Sequence, residues 1–197
     1  MRDLRGAARM RLGAISLVIS ATLLSGCSEK QEANTTLPST TSAPTVEALP
    51  PLGPADFPVP DEARTQDAAG AEAFVRYWIE LLNRQQAIPS GQPLRDLSSP
   101  ECDECSRIAG AFDDAAAAGH RYEGGELSLN DVAEPLMGDG EAAIAFGVRV
   151  QPLTVRAPTG SPVPGGVGEL VSNAGSGMRL AWSEESRSWI ITRMTIG

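Results

Sequence analysis

The chain contains one histidine, His120, one lysine, Lys30, and three cysteines in 197 residues, and aromatic side chains make up 5% of it. Each scarcity removes chemistry. A tetrahedral zinc site built from Cys and His needs four ligands, and with Cys27 consumed elsewhere this chain cannot reach four without carboxylates. A Ser–Lys dyad cannot form in a folded domain, because Lys30 stands in a segment with no structural period. A Ser–His–Asp triad would have to use His120, which follows a helix end and suits a loop cation near the helix dipole. There is no G-x-S-x-G elbow, since Gly175-Ser176-Gly177 lacks the spacing, and Asp139 in GDGE is not part of a twelve-residue calcium loop. We therefore expect no metal and no cofactor.

The N-terminus carries more information. Arg2, Arg5, Arg9 and Arg11 precede an apolar stretch from Leu12 to Leu24. That stretch falls short of the about 20 residues a spanning helix needs and has the flanks of an export signal. Its ending, Leu24-Ser25-Gly26-Cys27, resembles the bacterial lipobox, in which the cysteine is lipidated and becomes the first mature residue. The expected organisation is a signal peptide over 1–26, then lipidated Cys27 with a Thr/Pro-rich tether over 27–66, then a folded domain over 67–197. The expected address is the outer face of the cytoplasmic membrane, reached through the N-terminal lipid.

Charge sharpens this. The first 26 residues hold four of the 16 basic and one of the 25 acidic residues, which leaves a remainder of net charge −12. Such a balance excludes nucleic acid as a partner and disfavours adhesion to anionic headgroups. The tether, rich in Thr, Ser, Ala and Pro, buries too little surface to offset ordering entropy. Its later part, PPLGPADFPVPDEAR, places Phe57 and Val59 between prolines and could lie as an extended arm on the folded body.

Helical period begins at DAAGAEAFVRYWIELLNRQQ. Phe74, Val75, Tyr77, Trp78, Ile79, Leu81 and Leu82 fill one arc of the wheel, with Glu72, Arg76, Glu80, Asn83 and Arg84 opposite. Asp67 is the expected N-cap. The aromatic trio belongs in a core, or lines a pocket together with Tyr122 and Phe146. A second helix is expected from SSPE, capped by Ser98 or Ser99 and ended by Gly119. After Gly119 the period changes to 2, with strands around Leu127 and Leu129, over AAIAFGVRV, and in two final strands containing Met178–Trp182 and SWIITRMTI. Residues 156–177 read as a long Pro/Gly-rich connection. Helices followed by a meander give an α+β architecture, with N-terminal helices packed on a curved antiparallel sheet.

Cys102 and Cys105 in ECDEC admit three readings. Zinc lacks ligands, and a thioredoxin-like site wants a strand leading into the pair. A disulfide fits the reach of residues i and i+3 and an oxidising compartment, and it would fix the start of a helix. This is the expected role.

The segments FPVPDEAR, GAEAFVRYWIELLN, LSSPECDEC and GHRYEGG resemble an uncharacterised family of actinobacterial lipoproteins. The resemblance implies an NTF2-like or SnoaL-like cone and transfers no catalytic residue. Enzymes on such cones place an Asp, Glu, His or Tyr in the pocket, and Asp113, Asp114, His120, Tyr122 and Glu126 are the residues available for that. The expected function is a non-catalytic binding or scaffolding module of the envelope. It would contact an apolar small molecule or another envelope protein through the cone or the outer sheet face. The alternative is a SnoaL-like acid–base isomerase or hydrolase.

Overall fold

The computed structural model describes residues 49–196. The signal segment, Cys27 and the tether as far as residue 48 lie outside the described residues. The architecture is α+β, with helices packed on a curved antiparallel sheet, as the change of period implies.

Helix α1 spans Ala68–Ala87. Its start is set by Asp67, whose carboxylate accepts from the Gly70 amide at 2.7 Å, and it ends ahead of Pro89. The apolar arc is buried as the wheel requires: Phe74, Val75, Trp78 and Leu81 are wholly inaccessible to solvent. A short helix not anticipated from the sequence, α2 (Gln92–Arg95), brings Leu94 into the same core. Helix α3 spans Asp103–Ala118, four residues or so later than Ser98 or Ser99 capping would give. The cap is Cys102, whose sulfur accepts from the Cys105 amide at 3.3 Å; Ser99 instead accepts from the Glu101 amide one turn earlier. Gly119 ends α3 with φ +64°, as expected of a left-handed terminator.

Among the described residues eight strands come after the helices: β1 (Arg121–Gly124), β2 (Leu127–Asn130), β3 (Leu136–Met137), β4 (Glu141–Val150), β5 (Leu153–Arg156), β6 (Pro162–Gly168), β7 (Val171–Ser183) and β8 (Ser188–Thr195). The main sheet runs β2-β4-β7-β8 with β3 also paired to β4, and β1-β5-β6 forms a second sheet. The long connection expected over 156–177 is therefore largely strand. Its prolines are compatible because β6 is an edge, where a missing N–H disrupts no ladder on the open side. Inward-facing Ile144, Phe146 and Val148 of β4, Met178 and Leu180 of β7, and Trp189, Ile191 and Met194 of β8 meet α1 in one core.

The folded unit begins earlier than the expected boundary at Asp67. Leu52 and Phe57 pack on the core, and Val59 and Ala63 are buried in it. The Phe57 ring stacks on Tyr77 at 5.2 Å, and the Tyr77 hydroxyl donates to the Phe57 carbonyl at 2.8 Å. Arg64, on a 3₁₀ turn (Asp61–Arg64), donates to the carbonyl oxygens of Pro50, Ser186 and Arg187, so it ties the arm to the β7–β8 turn. The Trp189 indole donates to the Thr65 carbonyl at 2.9 Å. The expectation of an arm is borne out, because Phe57 and Val59 supply apolar area that Ser- and Thr-rich sequence lacks.

Candidate functional site

Of the residues considered for a pocket, four form the interior instead. Phe74, Trp78 and Phe146 are at most 1% exposed and Tyr77 is 4% exposed, all within the continuous core. The expectation of a pocket lined by Phe74, Tyr77, Trp78 and Phe146 is corrected on this point: helix α1 seats too deeply against the sheet, and Leu94, Leu97, Leu180 and Trp189 fill the remaining space.

The titratable candidates are scattered. Asp113 accepts from the Gly91 amide at 2.7 Å and pairs with Arg95 at 2.6 Å. Those two contacts, the amide first, hold its carboxyl below the usual range. Asp113 therefore fixes α2 against α3. Asp114 is exposed, and His120 is half-buried at the end of α3. Tyr122 and Glu126 are brought together, lining an open hollow of about 370 Å³ with Asn83 and Gln86. Burial pushes the Tyr122 phenol up, with the Asp114 charge adding to it, so it stays protonated at neutral pH.

The Sγ atoms of Cys102 and Cys105 lie at bonding distance, 2.03 Å, with Cα atoms 5.2 Å apart. Both residues are buried, 2% and 0% exposed. Among the described residues no cluster of His, Cys, Asp and Glu could hold a metal ion.

A larger hollow, about 480 Å³, lies on the outer face of the main sheet. Alternation builds it. With Ile144 and Phe146 turned inward, Ala143 and Ala145 of β4 turn outward. Across the sheet Leu136, Ala143, Arg179 and Arg193 stand in one row, and Ala145, Gly177 and Thr195 in the next. The floor is low because it is Ala and Gly, while Leu136, 76% exposed, and the two arginines rise around it. The segment after β2 forms a further wall, held by the Ala133 amide donating to the Ala145 carbonyl at 2.9 Å, and brings Glu134 to the rim. Arg193 also borders a second, acidic hollow of about 330 Å³ with Glu101, Asp103 and Glu104 at the start of α3. Among the described residues neither Arg179 nor Arg193 forms an ion pair. Such an arrangement can take up an apolar body and a negative charge.

The sequence marks the outer sheet face as a contact surface without distinguishing these residues on it. The outward alternation of Arg179 against buried Met178 and Leu180 was a visible signal for one of them.

A family model described as a family of unknown function (DUF6318) matches residues 56–194. The chain belongs to the DUF6318 family. The match begins at Asp56, within the arm, and runs through Met194, so the DUF6318 region takes in the core, the disulfide-distance cysteines and nearly all of the outer-face hollow. A solved structure, Rd1NTF2_05, is similar over 64% of this chain and 99% of its own length, with 16% sequence identity and a TM-score of 0.38. No curated protein matches the chain. Among the described residues no helix is long and apolar enough to cross a membrane.

Proposed function

We propose that this DUF6318 chain is a lipid-anchored, extracytoplasmic binding protein of an actinobacterial envelope, and that it binds through the outer face of its main sheet. The observation that carries the binding reading is a contrast. The interior between α1 and the sheet is filled by Phe74, Trp78, Phe146 and Trp189, whereas the outer face keeps an open, mostly apolar hollow. A ligand pocket is concave and mainly apolar with a few placed polar groups, and its usual volume range, about 300–1,000 Å³, includes this one. The anchor reading rests on Leu24-Ser25-Gly26-Cys27, the Thr/Pro-rich tether behind it, and a cysteine pair suited to an oxidising compartment. An acid–base enzyme would have to work with Tyr122 and Glu126 in a hollow open to solvent, where Glu126 is exposed.

Two experiments test this. Mass spectrometry of the membrane fraction should find Cys27 as an acylated N-terminal residue; a free Cys27 in exported protein would remove the anchor. Nile red, a neutral apolar probe, should bind the full chain at one site and lose that site in Ala145→Trp, which fills the hollow. Binding that survives Ala145→Trp with an unchanged melting temperature would remove the outer face.

A further inference from the structure

We propose that the outer-face hollow takes a single-chain amphiphile with a monoanionic carboxylate head, its apolar body on the Ala145–Gly177 floor and its head between Arg179 and Arg193. The inference rests on the reading of the outer face as a binding surface and names the ligand's chemistry. Three observations carry it.

The first is the register. Arg179 and Arg193 are directly opposite each other on neighbouring strands and on one face. Like charges so placed destabilise a sheet, and neither guanidinium forms an ion pair among the described residues. Two guanidinium forks bordering one hollow can supply the charge and the paired donors that a carboxylate accepts from.

The second is the charge balance. Of the residues lining the hollow, Arg179 and Arg193 are positive and Glu134 is negative, a surplus of one positive charge on a chain whose total is −9. One positive charge in surplus fits a monoanion better than a dianion. Glu101, Asp103 and Glu104 stand beyond Arg193, across the acidic hollow, and would repel a second negative charge on the ligand.

The third is the floor. Ala143, Ala145 and Gly177 leave room where larger side chains would close the face, and Leu136 is held at the rim with most of its side chain in water. An alkyl chain lying there would cover Leu136 and remove apolar area from water.

The test is calorimetric titration of the full chain with octanoate, 1-octanol and octylammonium, in parallel with Arg179→Ala/Arg193→Ala and with Nile red binding. Octanoate should bind about tenfold or more tightly than 1-octanol, the scale of a charge-assisted hydrogen bond, and octylammonium most weakly. The double variant should bring octanoate to the level of 1-octanol and leave Nile red bound. If 1-octanol binds as tightly as octanoate, the carboxylate head is wrong while the outer-face reading stands. If neither binds and Nile red also fails, the outer-face reading falls with it.

Discussion

Arg193 faces Arg179 because of one extra residue, Thr192. The β7–β8 hairpin pairs Ser183 with Ser188, Ala181 with Ile190 and Leu180 with Ile191, a register that would continue to Arg179 with Thr192. A bulge intervenes, Arg179 pairs with Arg193, and the Thr192 hydroxyl donates to the Arg179 carbonyl at 3.2 Å. The same slip turns Met194 into the core, where it is 5% exposed. Bulges re-aim side chains in this way, and here one places two positive charges together at the edge of a hollow.

Removing one of those charges should stabilise the protein. Arg193→Ala relieves the cross-strand repulsion and should raise the urea midpoint by the equivalent of about 0.5 kcal/mol, with an unchanged slope. A loss of more than about 1 kcal/mol would mean that Arg193 serves the fold rather than a ligand.

The interior should answer mutation very differently. Trp78→Ala and Phe146→Ala each open a cavity under α1 and should cost about 3–5 kcal/mol. Conservative changes at Asp114, His120 and Glu126, which are exposed or half-buried, should stay within about 0.5 kcal/mol. Urea unfolding of these five variants measures both.

Arg64 should matter more than its place near the end of the arm suggests. It is 8% exposed and serves three carbonyl groups, on Pro50, Ser186 and Arg187. Arg64→Ala leaves those acceptors without their donor and should cost about 3 kcal/mol. Limited proteolysis should then cut ahead of Ala63 many times faster than in the parent chain.

Stability should also fall at high pH through Tyr77. Burial raises its pKa to about 12, from an ordinary value of 10.0. A phenol harder to ionise when folded contributes stability that is complete below about pH 10 and is lost as pH rises toward about 12. Tyr122 is raised in the same direction, chiefly by burial, and steepens the loss. Tyr77→Phe keeps the ring on Phe57 but gives up the bond to its carbonyl, so it should start lower and decline less steeply across that range. Equal slopes for the two proteins would contradict the assignment.

Much of this fold was legible because two periods dominate it. The arc from Phe74 to Leu82 and the alternation of Ile144, Phe146 and Val148 each depend only on local geometry, and both are buried as their periods require. The Asp67 cap and the Gly119 terminator are equally local. Tertiary balances were not legible. Whether the aromatic trio lined a pocket or filled a core turned on how closely α1 approaches the sheet. The arm's attachment turned on Arg64 reaching carbonyls more than 120 residues away in sequence. The candidate site was hidden for a more specific reason. Ile191 and Met194 are buried three apart, a break in the period of 2 that marks the bulge, and without that mark Arg193 reads as inward and Arg179 as facing Thr192.

The central claim is that ligands meet the outer face of the sheet and leave the interior untouched. Methyl-resolved NMR of the full chain during octanoate titration tests it most directly. The account predicts saturable shifts at the methyl groups of Ala143, Ala145 and Leu136, with those of Ala71, Ala109 and Val75 unmoved. Shifts concentrated at Ala71, Val75 or Ala109, with the outer-face methyls still, would place the ligand inside the core and contradict it.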